Sequence, residues 1–131
     1  MKLFSFPKSR RLRTNKQFRA IINHKAHVTN SLLRVSAAPN NLSFSHLGVS
    51  LAKAVGPAVV RNRLKRLVKE AFRLNQKDIP AGFDYVVTFR YNWWTNIAGA
   101  ENPKLAARKL KLQQIAESFV SLAEAAAKKA R

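Results

Sequence analysis

Apolar positions recur along this chain with two different periods, and the switches between them mark out its elements. Between Thr14 and His24, Phe18, Ile21 and Ile22 fall on one face at helical spacing. The stretch "TNKQ", Thr14 to Gln17, sets a threonine three positions before a glutamine. That is the capping-box pattern, and it predicts a short helix running to about His24. Ser31 to Ala38, "SLLRVSAA", reads as a strand, and "PNNLS" as a turn through its proline and asparagines. Phe44 to Leu51 reads as a second strand, with Leu47, Val49 and Leu51 alternating.

The second half returns to helical spacing. Pro57 follows Gly56 and suits a first helical turn, where its missing N–H costs nothing. A helix is predicted from there to about Asn75. On a wheel of about 100° per residue, Val60, Leu64, Leu67, Val68, Ala71 and Leu74 share one arc, the expected core face. Pro80 to Gly82 is a turn, and Phe83 to about Arg90 a strand with Phe83, Tyr85, Val87 and Phe89 on one face. Asn92 to Asn102 reads as a loop. Asn102 and Pro103 look like the cap and first residue of a last helix, with Leu105, Leu112, Ile115, Phe119, Leu122 and Ala126 as its apolar stripe. The alanine-rich end, 126–131, is expected to fray. The order predicts an α+β domain with one mixed sheet and about three helices, spanning 1–131 with a basic extension at 1–13.

Charge changes the picture. The 131 residues carry 25 Lys and Arg against 6 Asp and Glu, a formal net charge of +19. Positions 1 to 75 hold 16 of the basic residues and one acid, Glu70, so +15 lies in that part. Such a surface repels itself unless a polyanion neutralises it, and nucleic acid is the commonest polyanion, an anionic membrane the next. No cysteine is present, which removes disulfides, thiolate chemistry and cysteine-ligand zinc modules. Pro7 and Lys8 interrupt the apolar start, so no signal peptide is expected, and no segment approaches a membrane span. A cytoplasmic protein that uses no membrane is the expectation.

The charge is densest in "GPAVVRNRLKRLVKEAFR", Gly56 to Arg73, with six cations and one acid in eighteen positions. Arg61, Lys65, Lys69 and Arg73 repeat every four residues, Arg63 and Arg66 continue around the helix, and Asn62 points away from the core face. Lys and Arg four apart repel by a few tenths of a kcal/mol, so helix stability does not ask for this pattern. Phosphate binding does. An arginine fork holds two phosphate oxygens, and asparagine offers both a donor and an acceptor to a base edge or a 2′-hydroxyl. Arg61 and Arg63 lie about 200° apart and should meet different phosphates. A solvated basic face is the plain alternative, but the acids that normally intersperse one are missing here.

Other candidates carry less. Phe18 fits the core by its spacing. His24, His27 and His46 have no metal-ligand spacing and no evident carboxylate partners. The acids Glu70, Asp78, Asp84, Glu101, Glu117 and Glu124 form no cluster of the kind a two-metal nuclease needs. Trp93 and Trp94 are adjacent and cannot both face inward on a regular element; packing against the last helix is favoured over RNA stacking.

The residues from Leu47 to Arg73, "LGVSLAKAVGPAVVRNRLKRLVKEAFR", resemble the signature of the bacterial ribonuclease P protein component, with its arginine-asparagine-arginine core at Arg61, Asn62 and Arg63. "RRLRTNKQFRAII" resembles that family's first helix and "IPAGFDYVVTFR" its last strand. The resemblance implies the order α-β-β-β-α-β-α with a left-handed βαβ crossover, a topology shared with a domain of one ribosomal protein. It implies a subunit that binds ribonuclease P RNA and precursor tRNA, in an endonuclease whose RNA holds the Mg²⁺ and cleaves, with no catalytic or metal-binding residue on the protein and no protein partner required. It implies that Arg61, Asn62, Arg63, Lys65, Arg66 and Lys69 dock on the RNA subunit. Phe18, Lys53, Arg90 and, less directly, Arg13 would line a cleft for the 5′ leader of the substrate. Departures from the family pattern fall at Ile22, where an aromatic is frequent, at Ala54, where a lysine is, at Pro57, and across Asn92 to Asn102. The rival expectations are a ribosomal or other structural RNA-binding protein, and a self-sufficient ribonuclease.

Overall fold

A computed structural model describes residues 11, 12 and 14–131. The first helix, α1 (Asn15–Asn23), starts at the expected box: Gln17 N donates to Thr14 Oγ1 (3.1 Å) and Thr14 N to Gln17 Oε1 (3.0 Å). Ile21 is buried and Phe18 half-buried, but Ile22 is 46 % exposed, so the apolar face is narrower than its spacing suggested.

A strand that the residue pattern does not announce follows, β1 (His27–Thr29). Asn30 creates it: its Oδ1 accepts from Leu32 N and Leu33 N, both at 2.8 Å, closing a tight turn into β2 (Leu33–Pro39). Then come β3 (His46–Val49), α2 (Ala58–Leu74) and β4 (Phe83–Phe89). The sheet order is β1-β2-β4-β3. β2 is antiparallel to β1 and to β4, while β3 is parallel to β4 with Leu47 opposite Tyr85 and Gly48 opposite Val86. The sheet is therefore mixed, and α2 is the crossover between its two parallel strands.

The last helix is two. Asn102 caps α3 (Pro103–Lys109) through Leu105 N (2.9 Å), with Pro103 as the first residue. The chain then turns extended at Leu110, and α4 (Leu112–Ala130) begins. The continuous stripe expected from Leu105 to Ala126 is broken at Leu110. Ala106 and Ala107 of α3 pack on α2, while Ile115, Phe119, Leu122, Ala123 and Ala126 of α4 bury against both the sheet and α2. The end expected to fray stays helical to Ala130. Ala126, Ala127 and Ala130 are buried, and His24 Nε2 donates to Ala130 O (3.2 Å). Alanines at that spacing let the helix approach β1 and β2 closely.

Each sheet face has its own character. Leu33, Val35, Ala37, Leu47, Tyr85, Val87 and Phe89 face α4 and the main core, where Phe119 makes edge contacts with Tyr85 (6.1 Å) and Phe72 (6.2 Å). The opposite face carries Arg34, Ser36, Ala38, Gly48, Val86 and Thr88. It is covered only in part, where Leu12, Phe18 and Ile21 meet Val86. Within α2 the buried arc runs Val60, Leu64, Val68, Ala71 and Phe72. It is rotated from the expected one: Phe72 joins the core, Leu67 is only partly buried, and Leu74 is exposed.

Candidate RNA interface

The rotation of α2 sorts its cations onto two surfaces. Asn62, Arg63 and Arg66 line an open groove of about 1070 Å³ between α2 and α3. Arg73 lines it too, and so do Lys104 and Arg108 of α3, which the residue pattern did not single out although their i, i+4 spacing puts them on one side of that helix. Glu70 is the acid in this groove, and it is committed to Arg73, whose Nε donates to Glu70 Oε2 (3.0 Å). That bond, more than Coulomb attraction, holds the Glu70 carboxyl below its ordinary value against the opposing effect of burial. Arg61 and Arg63 diverge as expected. Arg61 Nε donates to Gly56 O (3.1 Å) at the helix start, and Arg63 Nε donates across the groove to Ala107 O of α3.

Lys65 faces elsewhere. It lines a cleft between α1 and β3, together with Phe18, Val49 and, further along, Arg19, Ile22 and Ser50. Lys69 stands between the groove and the cleft and lines both. Desolvation, then the charges of Arg11 and Lys65, push the Lys69 ammonium below its ordinary pKa. A phosphate entering the cleft would relieve that repulsion. The floor is made by Gly48: a Cβ there would lie 2.6 Å from Phe18 Cε1 and Cζ, so only glycine lets the ring pack this closely on β3. Phe18 is thus both things considered for it, a half-buried member of the second core and a wall of the cleft.

The remaining expected leader residues are less gathered. Arg90, just past β4, is exposed and lines a separate hollow on the same sheet face with Thr29, Arg34, Thr88 and Tyr91. Ser50, which lines the cleft, donates its N–H to Val87 O (3.0 Å), one residue before Thr88 of this hollow. Lys53 is exposed in the 3-10 turn Lys53–Val55 that follows β3, outside the residues lining the cleft. Arg13 and residues 1–10 lie outside the described residues. Arg11 and Leu12, the described end of the expected extension, are not loose: Leu12 N donates to Leu47 O (2.9 Å) and Arg11 bridges to Leu47 as a parallel neighbour of β3.

Three other residues depart from expectation or resolve it. His46 does have a carboxylate partner, with Nδ1 2.7 Å from Asp84 Oδ1, which also accepts from Asn40 Nδ2 (2.7 Å). A carboxylate only accepts, so His46 Nδ1 carries the proton in this pair. Asp84 thereby pins the β3 and β4 starts. His27 is pushed below its ordinary pKa by desolvation first, then by Arg34 and Lys129. Trp93 is fully buried, donates Nε1 to Val55 O (3.0 Å) and meets Phe89 edge-on at 5.5 Å, while Trp94 is partly buried beside the same core. Among the described residues no three His, Asp or Glu side chains are placed to hold a metal ion, and no helix is long and apolar enough to cross a membrane.

A small mixed α+β sheet whose partly open face and crossover helix are lined by cations defines an RNA-binding protein. The comparisons say which. The ribonuclease P family model matches residues 6–123. The ribonuclease P protein component of Clostridium botulinum (strain 657 / Type Ba4) is 42 % identical over 84 residues, covering 63 % of this chain and 76 % of that one. The ribonuclease P protein of Thermotoga maritima superposes with a TM-score of 0.70 at 30 % identity, over 87 % of this chain and 94 % of its own. A Staphylococcus aureus ribonuclease P protein mutant with defective mRNA degradation activity superposes at 0.68 and 26 % identity, over 88 % and 86 %. The chain belongs to the family of bacterial ribonuclease P protein components. Its function is that of the protein subunit, which acts with a catalytic RNA on precursor tRNA, the catalysis residing in the RNA.

Proposed function

We propose that the two surfaces of α2 divide the work. The side bearing Asn62, Arg63 and Arg66, with Arg61 at the helix start, docks on the ribonuclease P RNA. The cleft of Phe18, Lys65 and Lys69 receives the single-stranded 5′ leader of precursor tRNA, which then runs over the sheet face toward Arg90. Lys53 stands beside that path, and Arg13 joins the leader set on the family resemblance. Lys65 moves, in this reading, from the RNA-docking set to the leader set, and Lys69 serves both.

The observation that carries the reading is the cleft itself: an aromatic ring packed against Gly48, with Lys65 lining the same cleft beside Lys69, whose ammonium is disfavoured by desolvation and then by Arg11 and Lys65. Stacking on a ring tolerates any base, which suits a strand of variable sequence, and the lysines supply phosphate contacts. In this reading Mg²⁺ is held mainly by the RNA subunit and the substrate; among the described residues no three His, Asp or Glu side chains gather to hold a metal ion. The protein's part is electrostatic: it neutralises phosphates and holds the leader in place, in the cytoplasm, where precursor tRNA is processed.

Precursor-tRNA cleavage at low Mg²⁺ tests this, with protein alone, RNA subunit alone, and both. Cleavage far greater with both is expected. No effect in any mixture would leave a structural RNA-binding protein. Cleavage of precursor or of mRNA by the protein alone would overturn the electrostatic mechanism, and the mRNA degradation activity of the Staphylococcus aureus protein makes that arm informative.

A further inference from the structure

The groove between α2 and α3 has two walls, and sequence reasoning assigns only one of them to RNA. Resting on the proposed docking of α2 on the RNA subunit, we infer that α3 is the second wall of that dock. Lys104 and Arg108 clasp, from the far side, the same stretch of RNA phosphate backbone that Arg63 and Arg66 hold.

Five observations support it. Lys104 and Arg108 line the groove with Arg63 and Arg66. Their spacing places both on one side of α3. The bond from Arg63 to Ala107 O fixes α3 against the arginine-asparagine-arginine core, so the spacing between the walls is built in and does not await the ligand. The buried Ala106 and Ala107 and the 3-10 turn Trp93–Asn96 pack α3 in place. Glu70, the acid in the groove, is already paired with Arg73 and leaves the excess charge uncompensated.

The floor decides the kind of occupant. Val59, 64 % exposed, and the partly buried Leu67 lie between the cationic walls. An apolar floor under two rows of cations suits ribose and base faces with phosphates outward. At about 1070 Å³ the groove is at the upper end of ligand-sized pockets, roughly 300–1,000 Å³, and is open rather than enclosing. The segment Asn92 to Asn102 leads directly into α3.

The test is equilibrium binding of the full-length protein to ribonuclease P RNA across a salt series. The variants are the double Lys104→Ala/Arg108→Ala, Arg66→Ala, the charge-retaining double Lys104→Arg/Arg108→Lys, and Lys128→Ala on the last turn of α4. Removing both α3 cations is expected to weaken binding at least tenfold and to make the log–log salt slope shallower by about 1.5, at roughly 0.7–0.9 per lost phosphate contact. The charge-retaining double and Lys128→Ala should keep the wild-type slope. If Arg66→Ala flattens the slope and the α3 double does not, the second wall is wrong and the α2 dock stands. If neither does, the docking face itself is wrong and this inference falls with it. A fall in affinity shared by both α3 doubles at unchanged slope would mean that α3 only packs, and would also overturn the inference.

Discussion

The ring of Phe18 rests on the backbone of Gly48. A methyl group added at Gly48 would sit 2.6 Å from Phe18 Cε1 and Cζ and 3.1 Å from Leu12 Cβ. The glycine therefore shapes the cleft proposed for the leader. Gly48→Ala is expected to push the ring off β3, at an overpacking cost of about 1–3 kcal/mol. The holoenzyme should lose affinity for leader-bearing precursor, as it should with Phe18→Leu, while affinity for mature tRNA stays unchanged. Equal losses for precursor and mature tRNA would show that the ring only packs.

Lys65 and Arg66 are neighbours in sequence but line different surfaces. Lys65→Ala is expected to weaken precursor binding by the assembled holoenzyme and to leave RNA-subunit affinity near wild type. Arg66→Ala should do the reverse. Arg66 is the cleaner probe of the dock than Arg63, because Arg63→Ala also cuts the tie to Ala107 O. Titrating each variant first with RNA subunit and then, as holoenzyme, with precursor separates the two. The same profile for both variants would mean that α2 presents a single surface.

Much of this was readable in the residues, for reasons that differ by element. The capping box at Thr14 and Gln17 and the Asn102-Pro103 start are local chemistry, and both formed as written. The β1 strand was not readable from its own residues, since two of its three side chains are polar and the turn at Asn30 depends on Leu32 and Leu33 beyond it. The break at Leu110 was hidden because Leu105 and Leu112 continue the helical spacing across it, and the extended backbone at Leu110 has no marker in the residues. The cations of α2 were all identified, but their division was not. It depends on which way the helix rolls in its seat, and Phe72, whose burial sets that roll, lay outside the expected apolar arc. The partnership of His46 with Asp84 joins residues 38 apart in sequence, and no spacing rule reaches that far.

Trp93 should prove structural. Its indole is fully buried and its Nε1 is the partner of Val55 O. Trp93→Phe removes that donor and leaves a buried carbonyl unpaired, at about 1–3 kcal/mol. Urea denaturation should show the lower midpoint. RNA-subunit affinity measured well below the transition should stay within a few-fold of wild type. A large loss of affinity with no change in midpoint would place Trp93 at the RNA instead.

Tyr85 sets an alkaline limit on stability. Its side chain is fully buried, and burial drives its hydroxyl well above the ordinary tyrosine pKa, with Arg131 opposing weakly. The folded-state pKa is raised, so the contribution is fully present below the unfolded value, about 10, and is lost as pH rises above it. One pH unit above that value costs the wild type about 1.4 kcal/mol through this group. Tyr85→Phe removes the linkage together with the bond from Tyr85 Oη to Pro80 O (2.6 Å). That bond is worth about 0.5–1.5 kcal/mol, and toward the lower end here, because Ser45 Oγ also donates to Pro80 O (3.3 Å). At pH 8 the wild type should therefore be the more stable. As pH approaches 11 the two urea midpoints should converge and then cross. Lys69 titrates in the same window with the opposite sign, since its lowered pKa favours the folded state as pH rises, but it is common to both proteins and cancels in the difference. A gap between wild type and Tyr85→Phe that stays constant from pH 8 to 11 would mean that the buried hydroxyl has no share in the alkaline transition.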